Sequence, residues 1–226
     1  MLDDNQLKGM IKNARDGISK RNFTQSAELT LILKDIDVKK GFSVNEVVNL
    51  PNKSTKTSTI CVFASGDMGT RARKAEVDRV IEPDELDRLG TNKKDARKVV
   101  KAYDFFLADT TLMSRVGRSL GQFMGPKGKM PSPLPYGAPI ENIADRFRGS
   151  VRARAKNQLN VSAKIGDEKM QDEQLASNAQ AIISAVEKKL PQGDKNIHNA
   201  IIKFTMSKPS KASAVPSEKN KKKGEM

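Results

Sequence analysis

A split α+β domain interrupted by a doubly wound, Rossmann-like α/β domain is the fold class that this 226-residue sequence predicts. Three observations carry it. Both chain ends pair amphipathic helices with strands whose apolar residues alternate, the pattern of a sheet covered on one face. The middle alternates short, continuous apolar runs with helical patterns, as buried parallel strands and their crossover helices do. The rhythm changes near residues 52–56 and 149–156. The expected division is therefore 1–54 with 153–212 as one α+β domain, 55–152 as the α/β insertion, and 213–226 as a disordered basic tail. Two connecting segments of this kind permit a hinge.

Taken in order, Asp3 or Asp4 can cap a first helix, with Leu7, Met10, Ile11, Ala14 and Ile18 on one stripe through about Lys20. From Phe23 the period becomes two. Ala27, Leu29, Leu31 and Leu33 alternate with Ser26, Glu28, Thr30 and Ile32, a half-buried strand. Lys40-Gly41 is a turn, and Val44–Leu50 a second strand, stopped by Pro51-Asn52. Thr59–Ala64 is a buried strand, followed by Gly66-Asp67-Met68-Gly69 and a short helix. Val77–Ile81 is strand-like. Pro83 suits a first helical turn, with Asp84 and Glu85 matching its dipole. Lys93–Ala102 is another helix and Phe105–Ala108 a third buried strand. Asp109 or Thr110 caps the next helix, with Leu112, Val116, Leu120 and Phe123 on its apolar face.

That helix runs into Gly125-Pro126-Lys127-Gly128-Lys129-Met130-Pro131-Ser132-Pro133-Leu134-Pro135. Gly125 and Pro126 stop it, and the rest reads by composition as a surface loop with solvated lysines. Beyond it come a helix over Ile140–Phe147, an extended Val151–Arg154 and a strand at Leu159–Lys164. A long helix carries Leu175, Ala179, Ile182, Val186 and Leu190 and ends at Pro191-Gln192-Gly193. In the last strand Ala200, Ile202, Phe204 and Met206 alternate with Ile201, Lys203, Thr205 and Ser207. From Pro209 the composition is that of a disordered tail.

The formal net charge of +14, from 41 Lys and Arg against 27 Asp and Glu, favours a polyanionic partner. Trp is absent and aromatic residues make up 4%, so binding mainly by base stacking is disfavoured. Residues 1–54 hold nine cations against seven anions, so charge alone does not define the protein, and geometry matters as much. Cys61 is the single cysteine, which excludes an internal disulfide and a thiolate metal cluster; it reads as a small core hydrophobe. No apolar run approaches a membrane span and no signal peptide is evident, so a cytoplasmic protein with no membrane partner is expected.

Catalytic groups are scarce. His198 is the single histidine, and no Cys or Ser motif accompanies it. Gly66-Asp67-Met68-Gly69 stands where α/β domains hold phosphates, yet it lacks both the three-glycine fingerprint and a P-loop lysine. A nucleotide-dependent enzyme built on the insertion is the alternative reading; no cofactor is expected. The exposed faces of the terminal strands fit RNA better. Ser26, Glu28 and Thr30 on one, and Lys203, Thr205 and Ser207 on another, offer hydroxyls for ribose and base edges and an ammonium for phosphate. On such a face Thr205→Val should leave folding intact, since valine keeps the β-branched shape.

Three stretches resemble, in order, the universal large-subunit ribosomal protein L-one family, with likeness from about Leu7 to Lys208. They are Phe23-Thr24-Gln25-Ser26-Ala27-Glu28-Leu29, the Gly-Pro-rich run at 121–135, and Phe204-Thr205-Met206-Ser207. The lysine-rich tail and the form of the insertion are similar to archaeal and eukaryotic members. The resemblance implies a non-enzymatic protein that is a monomer off the ribosome. Its split domain is expected to bind large-subunit ribosomal RNA, forming a mobile stalk that helps release deacylated, exit-site tRNA. Repression of its own mRNA is a further implied role. Carried over by position, the RNA-binding residues are Phe23, Ser26, Glu28, Thr30, Lys164, Asn199, Thr205, Met206 and Ser207, with Lys203 added from the strand pattern. Ser207 stands where bacterial relatives have glycine, and Asn22 where they often have lysine. The resemblance marks the Gly-Pro run without explaining it.

Overall fold

The computed structural model describes residues 3–38 and 41–213. The chain divides into two compact units: residues 1–55 with 151–226, and residues 56–150.

The first unit is a six-stranded sheet in the order β10-β9-β1-β8-β7-β2, with two helices on one face. Its strands are β1 (Ser26–Leu33), β2 (Ser43–Asn49), β7 (Ser150–Lys156), β8 (Asn160–Asp167), β9 (Ile197–Phe204) and β10 (Ser210–Ser213). Its helices are α1 (Asp4–Asp16) and α7 (Asp172–Glu187). The period-two pattern has a direct result. In β1 every second residue is buried, so Ala27, Leu29, Leu31 and Leu33 join Leu7, Ile11, Ala179 and Ile182 in one core. Asp3 caps α1 through a reciprocal pair with Gln6. The helix stops at Asp16, short of the expected Lys20, because Gly17 follows and the chain must turn back toward β1.

The second unit is a parallel sheet in the order β4-β3-β5-β6: β3 (Ile60–Phe63), β4 (Arg79–Ile81), β5 (Phe105–Asp109) and β6 (Ser132–Leu134). All residues of β3 and β5 are buried, as continuous apolar runs demand. The helices α2 (Gly66–Lys74) and α6 (Ile140–Arg148) pack with one face. The helices α3 (Pro83–Thr91), α4 (Lys93–Ala102) and α5 (Met113–Met124) pack with the other. Cys61 is fully buried, and burial pushes its thiol up to about 12, which leaves it an inert hydrophobe. Gly66, at φ +54°, makes the sharp turn between β3 and α2; that conformation accounts for a glycine there.

Two stretches read as loop or tail are strands. Ser132–Leu134 forms β6 and pairs with Leu107–Asp109, a short edge strand that tolerates Pro133. The Gly-Pro run before it is a helix terminator with a built-in cap. Gly128 takes φ +65°, and Lys129 Nζ donates to the carbonyls of Val100 and Tyr103 at 3.3 and 2.6 Å, at the C-terminal end of α4. Lys129 is thus a structural cation and not a solvated one; Lys127 is exposed. Ser210–Ser213 forms β10 and pairs with β9, so the segment expected to be tail from Pro209 is an ordered edge strand as far as Ser213. Backbone pairing holds this segment although its composition is polar. The expected tail at 214–226 lies outside the described residues.

Asp167 ends β8 with its residue 3% exposed. Burial pushes its pKa up, but the Thr55 amide and hydroxyl, the Lys169 amide and the nearby Lys164 charge outweigh burial and hold it below the ordinary value. The Thr55 N–H donates to it at 2.9 Å and the Lys169 N–H at 3.1 Å. A carboxylate so depressed contributes stability in full above its unfolded pKa, about 4, and loses it as pH falls through the folded value. Asp167→Asn is expected to lower stability at pH 7 by about 1–3 kcal/mol, and the gap to the parent should narrow progressively as pH falls below about 4. Thermal melts followed by circular dichroism across that range check it; a gap independent of pH would contradict the assignment.

Candidate nucleic-acid interface

The uncovered face of the six-stranded sheet is assembled around β1, whose outward residues are Ser26, Glu28, Thr30 and Ile32. Strand register sets their neighbours. Glu28 lies opposite Lys203 of β9 on one side and Lys164 of β8 on the other, so an acidic residue stands between two basic ones in the sheet register. One step along, Thr30 lies opposite Ser162, their hydroxyl oxygens 2.9 Å apart, and Arg154 of β7 lies opposite Ser162 in turn. Lys164 Nζ also donates to the Ser54 hydroxyl at 3.2 Å. The face therefore presents cations, hydroxyls and one acceptor carboxylate at strand spacing, a donor–acceptor grid suited to phosphate, ribose and base edges.

At one end of this face the sheet stops in a built turn. β9 ends at Phe204, so Thr205, Met206 and Ser207 lie beyond the strand on which they were expected. The reason is local hydrogen bonding. Ser207 N donates to the Phe204 carbonyl at 3.0 Å, and its hydroxyl accepts from Phe204 N at 2.9 Å, which closes the chain into a turn. Thr205 N donates to the Ser26 carbonyl, and Thr205 Oγ1 lies 3.1 Å from Ser26 N as its acceptor. Met206 then points away from the core, 56% exposed, where strand alternation would have buried it. Phe23, just before β1, is 50% exposed.

Gln25, which no sequence pattern singles out, holds these segments together. It is fully buried, and its Oε1 accepts from Met206 N at 3.0 Å while its Nε2 donates to the Ser19 carbonyl at 3.1 Å. Its own carbonyl accepts from Glu168 N at 2.9 Å. Arg15 is equally silent in the sequence. Its guanidinium donates to the carbonyls of Glu168 and Met170 and to the Asp172 carboxylate, at 2.7–2.8 Å, and lies 5.4 Å from the Phe204 ring centroid. No local motif announces either residue; both act across long sequence separations.

Of the ten residues picked out from the sequence, Phe23, Ser26, Thr205, Met206 and Ser207 gather at this end. Glu28, Thr30, Lys164 and Lys203 lie on the adjoining face. Asn199 does not join them. It sits outward but near the opposite end of β9, across from Ile32. His198 is exposed. Among the described residues no group of three or more His, Cys, Asp or Glu side chains is arranged to hold a metal ion, and no helix is long and apolar enough to cross a membrane.

Comparison with known proteins bears on the whole of this surface. The model of the ribosomal protein L1p/L10e family matches residues 12–208. The chain belongs to that family. A protein of Cenarchaeum symbiosum named large ribosomal subunit protein uL1 is 54% identical over 206 residues, 91% of this chain and 95% of the relative. Proteins of the same name from Thermofilum pendens and Methanospirillum hungatei are 44% and 37% identical, over 86% and 91% of this chain and 86% and 96% of their own. The L1p/L10e match begins within α1 and ends just after the 205–207 turn, so it takes in every residue of the candidate face.

In this L1p/L10e chain the Thr205 hydroxyl is already engaged within the fold, which overturns the expectation that valine is tolerated. Thr205→Val is expected to cost about 1–2 kcal/mol of folding stability, because it strips the side-chain acceptor from Ser26 N. Thr205→Ser should recover most of that loss. Urea unfolding of the two variants beside the parent measures it, and equal midpoints for valine and parent would refute the role given to this bond.

Proposed function

We propose that the outer face of the six-stranded sheet and the turn at its end bind a folded site in large-subunit ribosomal RNA. Family membership makes the chain a protein of the large ribosomal subunit, cytoplasmic and ribosome-associated, and not an enzyme. The observation that carries the more specific reading is the join made by Gln25. It fixes the exposed Met206 segment beside the start of β1, next to the Lys203–Glu28–Lys164 row. Apolar side chains held outward by a rigid support offer apolar contact to splayed bases, while the row supplies phosphate and ribose contacts.

In this proposal the RNA-binding domain is the split unit, 1–54 with 153–212, and 55–152 is its insertion. Phe23, Ser26, Glu28, Thr30, Lys164, Lys203, Thr205, Met206 and Ser207 form the surface, with Asn199 at its margin. Thr205 and Ser207 shape the turn, their hydroxyls bonded to backbone within the fold. The complex forms the mobile stalk that assists release of deacylated tRNA from the exit site. The same surface binds a mimic of the site in the protein's own mRNA and represses its translation. Off the ribosome the protein is a monomer.

Residues 1–55 joined to 151–213 by a short linker are expected to fold and retain ribosomal RNA binding. The boundaries keep both Thr55, which bonds Asp167, and β10. In the full chain, Met206→Ala should weaken binding by about 1–3 kcal/mol, the worth of the apolar surface a methionine buries. Lys203→Ala should cost less and reduce the salt slope by about one. Filter binding across a salt series, with circular dichroism as the folding control, decides. A folded Met206→Ala protein that binds like the parent would remove this surface from consideration.

A further inference from the structure

Helix α4 carries charges that its own fold does not use. Lys93, Lys94, Arg97, Lys98 and Lys101 are all exposed, against the single acid Asp95, while Ala96, Val99 and Val100 are buried and fix the charged side outward. Lys93, Arg97 and Lys101 follow one another at steps of four residues, about 6 Å each along the axis. Lys94 and Lys98 run beside them.

Elsewhere in the same unit four cations have carboxylate partners: Arg71 with Asp67, Arg73 with Glu82, Arg79 with Glu85 and Arg115 with Asp87. On α4 only Lys98 has one, Asp95 at 3.6 Å, while Arg97 lies 5.7 Å from the Phe123 ring centroid. Lys93, Lys94 and Lys101 have no ion pair among the described residues.

The placement opposes the helix as well. Lys93 and Lys94 are its first two residues, directly after the Asn92 cap, where the positive end of the helix dipole disfavours cations. The pairs Lys93–Arg97, Lys94–Lys98 and Arg97–Lys101 are like-charged at i, i+4, which is destabilising. By contrast Lys129 serves the C-terminal end of α4, where a cation is favoured. A rule broken on one exposed face without gain inside the fold marks a surface built for something outside it.

We infer that the exposed face of α4 is a second docking ridge, and that its occupant is the phosphate backbone of double-helical RNA. Charge complementarity selects a polyanion. The face has no apolar side to insert among lipid chains, its buried residues being committed to the core, which selects nucleic acid over a membrane surface. With no exposed aromatic or amide side chain on its charged side, the ridge holds backbone without reading sequence. It rests on the reading of the protein as RNA-binding, and adds a contact in a different unit and of a different kind.

The test is Lys93→Gln, Lys94→Gln and Lys101→Gln together in the full chain, leaving Arg97 on Phe123 and Lys98 on Asp95. Binding to a random-sequence RNA duplex is measured across a salt series. The slope of log K against log salt should flatten by about two to three, near 0.9 for each phosphate no longer neutralised, and affinity near 0.1 M salt should fall about a hundredfold or more. The melting temperature should hold or rise, since unfavourable charges have been removed. An unchanged slope, or a lowered melting temperature, would overturn the inference. So would loss of binding to phosphatidylserine vesicles with duplex binding intact. The preference for purified large-subunit ribosomal RNA over the random duplex should survive the triple change and fall in Met206→Ala. If Met206→Ala keeps that preference, the sheet-face reading fails while the ridge result stands.

Discussion

The buried amide of Gln25 is the constraint on which the candidate surface depends. A side chain with no exposure must satisfy its donors and acceptor inside the protein, and here each satisfied group belongs to a different segment. Met206 N, the Ser19 carbonyl and, through the Gln25 carbonyl, Glu168 N are drawn to one point. Ser19 follows α1, Glu168 follows β8 and Met206 follows β9, so three connections of the first unit are fixed by one residue. That is why an exposed methionine and phenylalanine can stand on a turn without the turn being loose. Arg15 reinforces the arrangement from beneath, spanning from α1 to the β8–α7 connection.

Much of this architecture was legible in the sequence because burial imposes periods. The alternation in β1 and the unbroken apolar runs of β3 and β5 report sheets with one and two covered faces, and the mixed fold class follows from them. The legible part stops where stability comes from partners instead of pattern. Proline in Ser132–Leu134 argued against a strand, yet an edge position needs only some of the ladder bonds. Ser210–Ser213 has the composition of a tail, and only the open edge of β9 gives it a place to pair. Thr205 looked like a strand residue because the apolar alternation runs on through Met206 and Ser207. The Ser207 hydroxyl on Phe204 N ended the strand at Phe204, three residues before the end of the alternation. Gln25, Arg15 and Asp167 were invisible for the same reason: their partners are brought near by the completed fold.

The two units use charge differently. In the first, Glu28 stands opposite a lysine on each side in the sheet register, and Asp167 is buried against backbone amides. In the second, ion pairs join cations of α2, β4 and α5 to nearby carboxylates, while Lys93, Lys94 and Lys101 of α4 have no such partner among the described residues. The Gly-Pro run, whose lysines looked alike in sequence, splits between these uses. Lys129 is committed to the end of a helix, whereas Lys127 faces solvent.

The strand order also governs how the protein is made. β1 emerges from synthesis long before its neighbour β9, and the bonds between Ser26 and Thr205 span 179 positions. Residues 56–150 form a continuous stretch with their own core and can complete it while the first unit still waits for its partner strands. Such long-range pairing is slow and leaves an apolar sheet face uncovered meanwhile. The nascent chain therefore carries a finished module between two halves of an unfinished one, and its exposed half-sheet is the state most in need of protection during translation.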